Sequence, residues 1–250
     1  TIHIRNLTIG AGRPKICIPI IQTTKEAIWE MAEQIAGQPG VADFVEWRAD
    51  WFSQVKEETA VQEVLSGMRQ ILGETPILFT FRTAAEGGEL AVSLEQYQDI
   101  NLYAICSGMV DLVDLEFFQT ESIRDTLLEA AQLHGIKVIA SNHDFEKTPP
   151  KGEIISRLRR MQAFGADIAK IAVMPQCSAD VKQLLDATWE VSRSQNSGPI
   201  ITMSMGQEGC ISRLAGQFFG SAVTFGAIGA GSAPGQINAA DLKKVLEILQ

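Results

Sequence analysis

Eight short apolar, β-branched runs recur along the chain, and helical stretches separate them. The runs are Lys15–Ile20, Asp43–Arg48, Pro76–Arg82, Asp111–Glu116, Lys137–His143, Ile168–Val173, Pro199–Met205 and Ser221–Ala227. Between them lie stretches such as Lys25–Gly37, Ser122–Gly135 and Lys151–Gly165. These carry apolar residues three and four apart and end in glycine, as amphipathic helices do. Eight strands alternating with helices over 250 residues is the arithmetic of a (β/α)8 barrel. A doubly wound open sheet is the competitor, but such sheets usually have fewer strands, and dinucleotide binders carry GxGxxG after the first one. Here Ile21–Ala27 follows the first run and contains no glycine. The opening TIHIRNLTIG alternates in a way that fits a β-hairpin covering one end of the barrel. No proline- or serine-rich linker and no charge run divides residues 1–250, so one catalytic-size domain is expected.

Composition narrows the partners. With 21 Lys+Arg against 30 Asp+Glu the formal charge is −9. That argues against nucleic acid and anionic membrane surfaces, which require a basic patch, but leaves small anions open. With 46% apolar and 20% charged residues, the chain can bury a large core and is not disordered. Cys17, Cys106, Cys177 and Cys210 are far apart and form neither a zinc pattern nor a disulfide framework. With no apolar leader segment in the first residues, a reducing cytoplasmic setting is expected. Leu214–Ala240 has no charged residue, yet it holds six glycines and Pro234. It reads as a buried strand running into a glycine-rich loop rather than as a membrane span.

Strand side chains alternate faces, and barrel enzymes carry their chemistry at the C-terminal strand ends. Glu46, Arg48 and Asp50 share one face; so do Thr80 with Arg82, Asp114 with Glu116, Ser141 with His143, and Ile168 with Lys170 and Ala172. The opposite faces are apolar and suit the helices. Five strands therefore point ionisable groups inward at one end, where unpaired charge is costly. Lys170, flanked by apolar neighbours, reads either as a paired strand lysine or as a nucleophilic amine. An unperturbed lysine is free amine about once in 2,500 molecules at pH 7, and desolvation with neighbouring cations raises that fraction. Of the three histidines, His3 lies in the hairpin and His134 at a helix end, which leaves His143 of SNHDF as the acid–base candidate. Glu86, just beyond the third run, could orient an imidazole. Arg213 and the loop Gly226–Ile237 follow the seventh and eighth runs, where barrels commonly hold phosphate; an arginine there equally binds a carboxylate. That loop could close as a lid, with Ser232 and Gln236 as its polar contacts.

The segments EWRAD, FTFRTAAEGGE, DLVDLE, SNHDFEKTP, AKIAVMP, ITMSMG, ISRLAG and SAPGQI together resemble the type I 3-dehydroquinate dehydratases, in order and over nearly the whole chain. The resemblance implies a (β/α)8 barrel, a cytoplasmic homodimer without metal or cofactor, and dehydration of 3-dehydroquinate to 3-dehydroshikimate by syn elimination through a Schiff base. Carried over by motif, Lys170 forms the imine, His143 is the general acid–base, and Glu86 orients it. Glu46, Arg48 and Arg82 bind ring hydroxyls, and Arg213, Ser232 and Gln236 hold the substrate carboxylate. Pro19 departs from the pattern, since many members have serine there, and it is given no role. The competing readings are a Schiff-base aldolase or transaldolase barrel, and a non-catalytic barrel that binds a carboxylate.

Overall fold

The structure is a computed structural model that describes residues 1–195 and 197–250. A short antiparallel hairpin, β1 (Ile2–Ile4) and β2 (Leu7–Ile9), opens the chain. Then come β3 (Lys15–Ile20), α1 (Lys25–Ala36), β4 (Phe44–Arg48), α2 (Glu58–Leu72), β5 (Ile77–Thr80), α3 (Leu94–Cys106), β6 (Leu112–Glu116) and α4 (Arg124–Leu133). β7 (Lys137–Asp144), α5 (Lys151–Phe164), β8 (Ile168–Val173), α6 (Ser178–Ser192) and β9 (Ile200–Ser204) follow. The last segment holds α7 (Cys210–Leu214), α8 (Gly216–Phe219), β10 (Val223–Ala227), β11 (Ile237–Asn238) and α9 (Ala239–Ile248).

Strands β3 to β9 pair in parallel in chain order, and β10 pairs with β3. The seam between β9 and β10 closes through a parallel bridge, Ile200 with Ser221, and the Ala222 N–H donates to the Ile200 carbonyl at 2.8 Å. The eight expected strands are therefore the eight staves of a curled parallel sheet. The expected helices also form. α5 ends at Gly165, whose φ of +101° supplies the left-handed turn, while α4 starts later than the periodicity indicated, at Arg124. The short helices α7 and α8 and the strand β11 were not anticipated. The uncharged Leu214–Ala240 stretch becomes α8, the fully buried β10 and a loop, and among the described residues no helix is long and apolar enough to cross a membrane.

A two-residue step along each strand explains the interior. Phe44, Leu78, Leu112, Ile139, Ile168, Ile201 and Val223 fill the N-terminal half, and Ile4 and Ile9 of the hairpin plug that end. Two residues further on, the inward positions are Glu46, Thr80, Asp114, Ser141, Lys170, Met203 and Phe225. The alternate set, with Val45, Trp47, Phe79, Phe81, Val113 and Leu115, packs on the helices. The nine buried charged side chains among the described residues all lie toward the C-terminal end or the loops above it.

At the N-terminal end one device repeats on alternate strand pairs. Asp43, just before β4, accepts from the Ile16 N–H of β3 at 2.7 Å. Asp111, before β6, accepts from Ile77 of β5 at 2.8 Å. Asp167, before β8, accepts from Val138 of β7 at 2.9 Å. In the fourth pair Ser221 Oγ takes this place, accepting from Thr202 of β9 at 3.1 Å. Each aspartate also meets a cation: Arg13, Arg69 and Lys137 in turn. Arg5, in the hairpin turn at φ +49°, reaches Asp111 at 2.6 Å and ties the plug to the barrel. The four cysteines are unpaired.

Candidate active site

The cavity at the C-terminal end is built outward from Asp114. Its carboxylate accepts from Lys170 Nζ at 2.9 Å, from Arg82 Nη2 at 2.7 Å and from Ser141 Oγ at 2.5 Å. Lys170 of β8 and Ser141 of β7 are each one inward step beyond their strand's apolar plug, and Arg82 follows the end of β5, two steps beyond Leu78. Burial opposes the Asp114 charge, but the Arg82 and Lys170 cations outweigh it and hold the carboxyl well below the usual carboxylate range. Arg82 is buried too, and the acids Asp114, Glu116 and Glu86 overcome that burial and raise its pKa. Lys170 lies 4.0 Å from Glu46 Oε1 and 4.7 Å from the centre of the Phe225 ring. Glu46 accepts from Thr80 Oγ1 at 2.8 Å. The lysine is thus ion-paired with Asp114 and also faces the cavity, whose wall beside it includes Phe225.

Glu86 sits at the end of a one-turn helix, Ala84–Glu86, directly after β5. The two glycines behind it are steric requirements. Gly87 has φ +83°, and a side chain there would strike the Phe145 ring; one on Gly88 would strike the Arg82 carbonyl. The Glu86 Oε2 atom lies 3.0 Å from both the His143 backbone nitrogen and its Nδ1. His143 Nε2 is therefore the ring nitrogen left for the cavity. Burial pushes Glu86 up to about 8, against the pull of Arg82. Burial, then the Arg82 and Lys170 cations, press the His143 pKa well below its ordinary value. Both groups are driven toward their neutral forms.

Glu46, Arg48, Arg82, Glu86, His143, Lys170, Ser232 and Gln236 all line one cavity, together with Phe145, Met203, Met205 and Phe225. Arg48 is held by Asp50 through two bonds of 2.8 Å. The loop after β10 lies over this mouth. Its Ser232 carbonyl is 3.5 Å from Arg48 Nη1, and Ser232 and Gln236 bond each other at 2.9 Å. The Pro234 carbonyl accepts from the Gly206 N–H at 3.1 Å.

Arg213 is not on the cavity wall. It is buried behind Met203, with Nη1 against the Met203 sulfur and Nη2 donating to the Pro234 carbonyl at 3.0 Å. No acidic side chain pairs with it among the described residues, its Nε has no partner, and burial lowers it to about 10. Burying a guanidinium without an acidic partner is costly. Sequence reasoning noted that Asp114 shares a face with Glu116 but gave it no role, and it gave none to Asn142. Pro19 stays in register with Glu46, beyond the point where β3 stops pairing with β10. Among the described residues no group of three or more His, Cys, Asp or Glu could hold a metal ion.

Residues 16–250 match the family model of type I 3-dehydroquinase. The chain belongs to the type I 3-dehydroquinase family. A 3-dehydroquinate dehydratase of Listeria monocytogenes serotype 4b is 53% identical over 246 residues, 98% of this chain and 96% of the relative. One from Clostridioides difficile is 48% identical over 248 residues, covering 99% and 96%. A crystal structure of the Clostridium difficile type I 3-dehydroquinate dehydratase with covalently modified comenic acid superposes with a TM-score of 0.95 at 48% identity, covering 99% of this chain and 97% of that one. The Enterococcus faecalis 3-dehydroquinate dehydratase gives 0.93 at 43% identity, with both chains fully covered. The type I 3-dehydroquinase barrel is therefore this chain's fold.

Proposed function

We propose that the chain dehydrates 3-dehydroquinate to 3-dehydroshikimate, a step of the shikimate pathway, by syn elimination through an imine on Lys170. The observation that carries this reading is the placement of Lys170 Nζ, the His143–Glu86 pair and cavity-facing cations around one cavity. In the reaction the amine adds to the ring ketone and the adduct loses water, which leaves an iminium. That electron sink acidifies the neighbouring C2–H, so a histidine suffices as base. His143 Nε2 takes the C2 proton, and the resulting enamine expels the C1 hydroxyl, to which His143 returns a proton. Hydrolysis restores the amine and releases the enone, so the net change is loss of one water.

Glu86 orients the imidazole through Nδ1. Asp114, which stays ionised between Arg82 and Lys170, fixes Nζ beneath the ketone. Glu46, Arg48 and Arg82 contact ring hydroxyls. Ser232 and Gln236 of the loop meet the carboxylate, and Arg213 supplies the unmatched positive charge from behind Met203. The covalently modified comenic acid in the Clostridium difficile relative supports a reading in which this family's site carries a nucleophile. The same family resemblance supports a cytoplasmic homodimer, which sedimentation equilibrium would check.

The test is borohydride reduction in the presence of 3-dehydroquinate, followed by peptide mass mapping. The expected result is one adduct, on Lys170. No adduct, or one on another lysine, overturns the mechanism. Growth of an enone absorbance separates dehydration from the carbon–carbon cleavage of an aldolase.

A further inference from the structure

Asn142 lies on β7 between Ser141 and His143, so strand alternation turns it away from the barrel axis. Its side chain nonetheless bonds Glu86. The Asn142 Nδ2 atom donates to Glu86 Oε1 at 3.3 Å, and the Asn142 Oδ1 atom accepts from Arg157 Nη1 at 2.9 Å. Arg157 belongs to α5, where Glu153 braces it at 2.8 Å. It is not among the residues that line the candidate active-site cavity. It faces a second, solvent-side cavity that shares only the Gly87, His143 and Phe145 wall with the first.

The direction of these bonds follows from donor inventory. A guanidinium has only donors, whereas a side-chain amide has a donor end and an acceptor end. Arg157 therefore holds the Asn142 oxygen, and the NH2 group has to face Glu86. A donor there stabilises the ionised carboxylate; a flipped amide would offer its oxygen and stabilise the protonated acid instead. The state of Glu86 in turn decides the tautomer of His143. An ionised Glu86 accepts from Nδ1–H and leaves the Nε2 lone pair free for the cavity. A protonated Glu86 donates to Nδ1, which forces the ring hydrogen onto Nε2 and blocks it as a base.

We infer that Asn142 and Arg157 are positioning residues, a relay in which a donor-only side chain fixes an amide so that its NH2 group favours the ionised form of Glu86 against burial, the form in which His143 presents its free Nε2. The inference rests on the acid–base reading of His143. The other groups facing the pair are Arg82, 3.7 Å from Glu86, with Asp114 and Glu116 from β6 and, on the His143 side, Lys170 and Arg48. The relay changes none of these.

The test compares the full-length protein with Arg157→Met and Arg157→Lys. Nitrogen-15 NMR of the three histidines reads the His143 tautomer directly and needs no turnover. With Glu86 titrating at about 8, Nδ1–H should replace Nε2–H as pH rises through that value. In Arg157→Met the change should move up by about 0.5–1 pH unit, because a carboxylate that loses a donor holds its proton more tightly. The acid limb of kcat should move with it, and kcat near neutrality should fall about three- to tenfold with KM unchanged. Arg157→Lys, also donor-only, should restore both. An unmoved tautomer transition in Arg157→Met, or equal displacement in Met and Lys, overturns the relay. A protein that shows the tautomer shift but never turns over 3-dehydroquinate keeps the relay and refutes the dehydratase reading.

Discussion

At the N-terminal end of the barrel the side chains of Asp43, Asp111 and Asp167 are 20%, 11% and 25% exposed. At the C-terminal end those of Asp50, Asp114 and Glu116 are 0% exposed. Carboxylates just before an inward apolar residue, and carboxylates two or more positions beyond one, do different work at the two ends. Below, each aspartate satisfies a strand N–H and a local cation while water still reaches it. Its role is register, and its partners lie in the adjoining strand, helix or hairpin. Above, Asp114 joins three strands across the barrel, and the charges around it are sealed from water. Such a cluster is weak as a stabiliser, because desolvation offsets much of the pairing energy. It is strong as a fixed electrostatic frame for a reacting group. Variants should therefore separate function at one end from stability at the other.

The largest separation is expected for Lys170→Ala. Turnover should fall by about 10⁴-fold or more, and borohydride trapping should vanish. Cooperative unfolding should persist, since Asp114 keeps Arg82 at 2.7 Å and Ser141 at 2.5 Å. Activity assays alongside thermal unfolding would check this. A Lys170→Ala protein that fails to fold would show that the upper cluster also carries register.

Asp111→Ala is the mirror case. It removes the acceptor for the Ile77 N–H and the shared partner of Arg5 and Arg69. Arg69 retains the carbonyls of Met109, Gly73 and Thr75, and both arginines are part-exposed. The loss should therefore stay near 2 kcal/mol rather than the larger cost of a sealed pair. Urea unfolding would measure it, with kcat of the folded protein unchanged. A lowered kcat would mean that the two ends are coupled.

The contrast was only partly legible in the sequence. Strand alternation placed Glu46, Arg48, Arg82, His143 and Lys170 on inward faces, because period two is a local property. The aspartates Asp43, Asp111 and Asp167 each precede alternate apolar runs, a regularity that was present but went unread. The Asp114 pairing with Lys170 and Arg82 was not readable, since it depends on curvature bringing β5, β6 and β8 around one axis. Asn142 defied the rule outright: alternation assigns it to the helix side, yet it reaches Glu86 because that residue sits beyond the end of β5. Arg213 was placed correctly after the seventh barrel strand, but its burial behind Met203 depends on packing among α7, β9 and the loop, which no spacing encodes.

The fourth pin gives the smallest and most discriminating effect. Ser221 occupies the place of the three aspartates but brings no charge and no cation partner, and it stands at the β9–β10 seam. If the lower ring works through strand amides, Ser221→Ala should cost about 1 kcal/mol, the usual worth of a neutral hydrogen bond. Hydrogen exchange should also quicken at the Thr202 amide, whose acceptor is lost, while Ile16, Ile77 and Val138 keep theirs. If the loss instead matches that of Asp111→Ala, the charge of the aspartates is incidental and closure of the ladder is what each pin provides. If neither unfolding nor exchange changes, the seam is held by Ile200 and Ala222 alone, and the fourfold repeat reduces to three working pins.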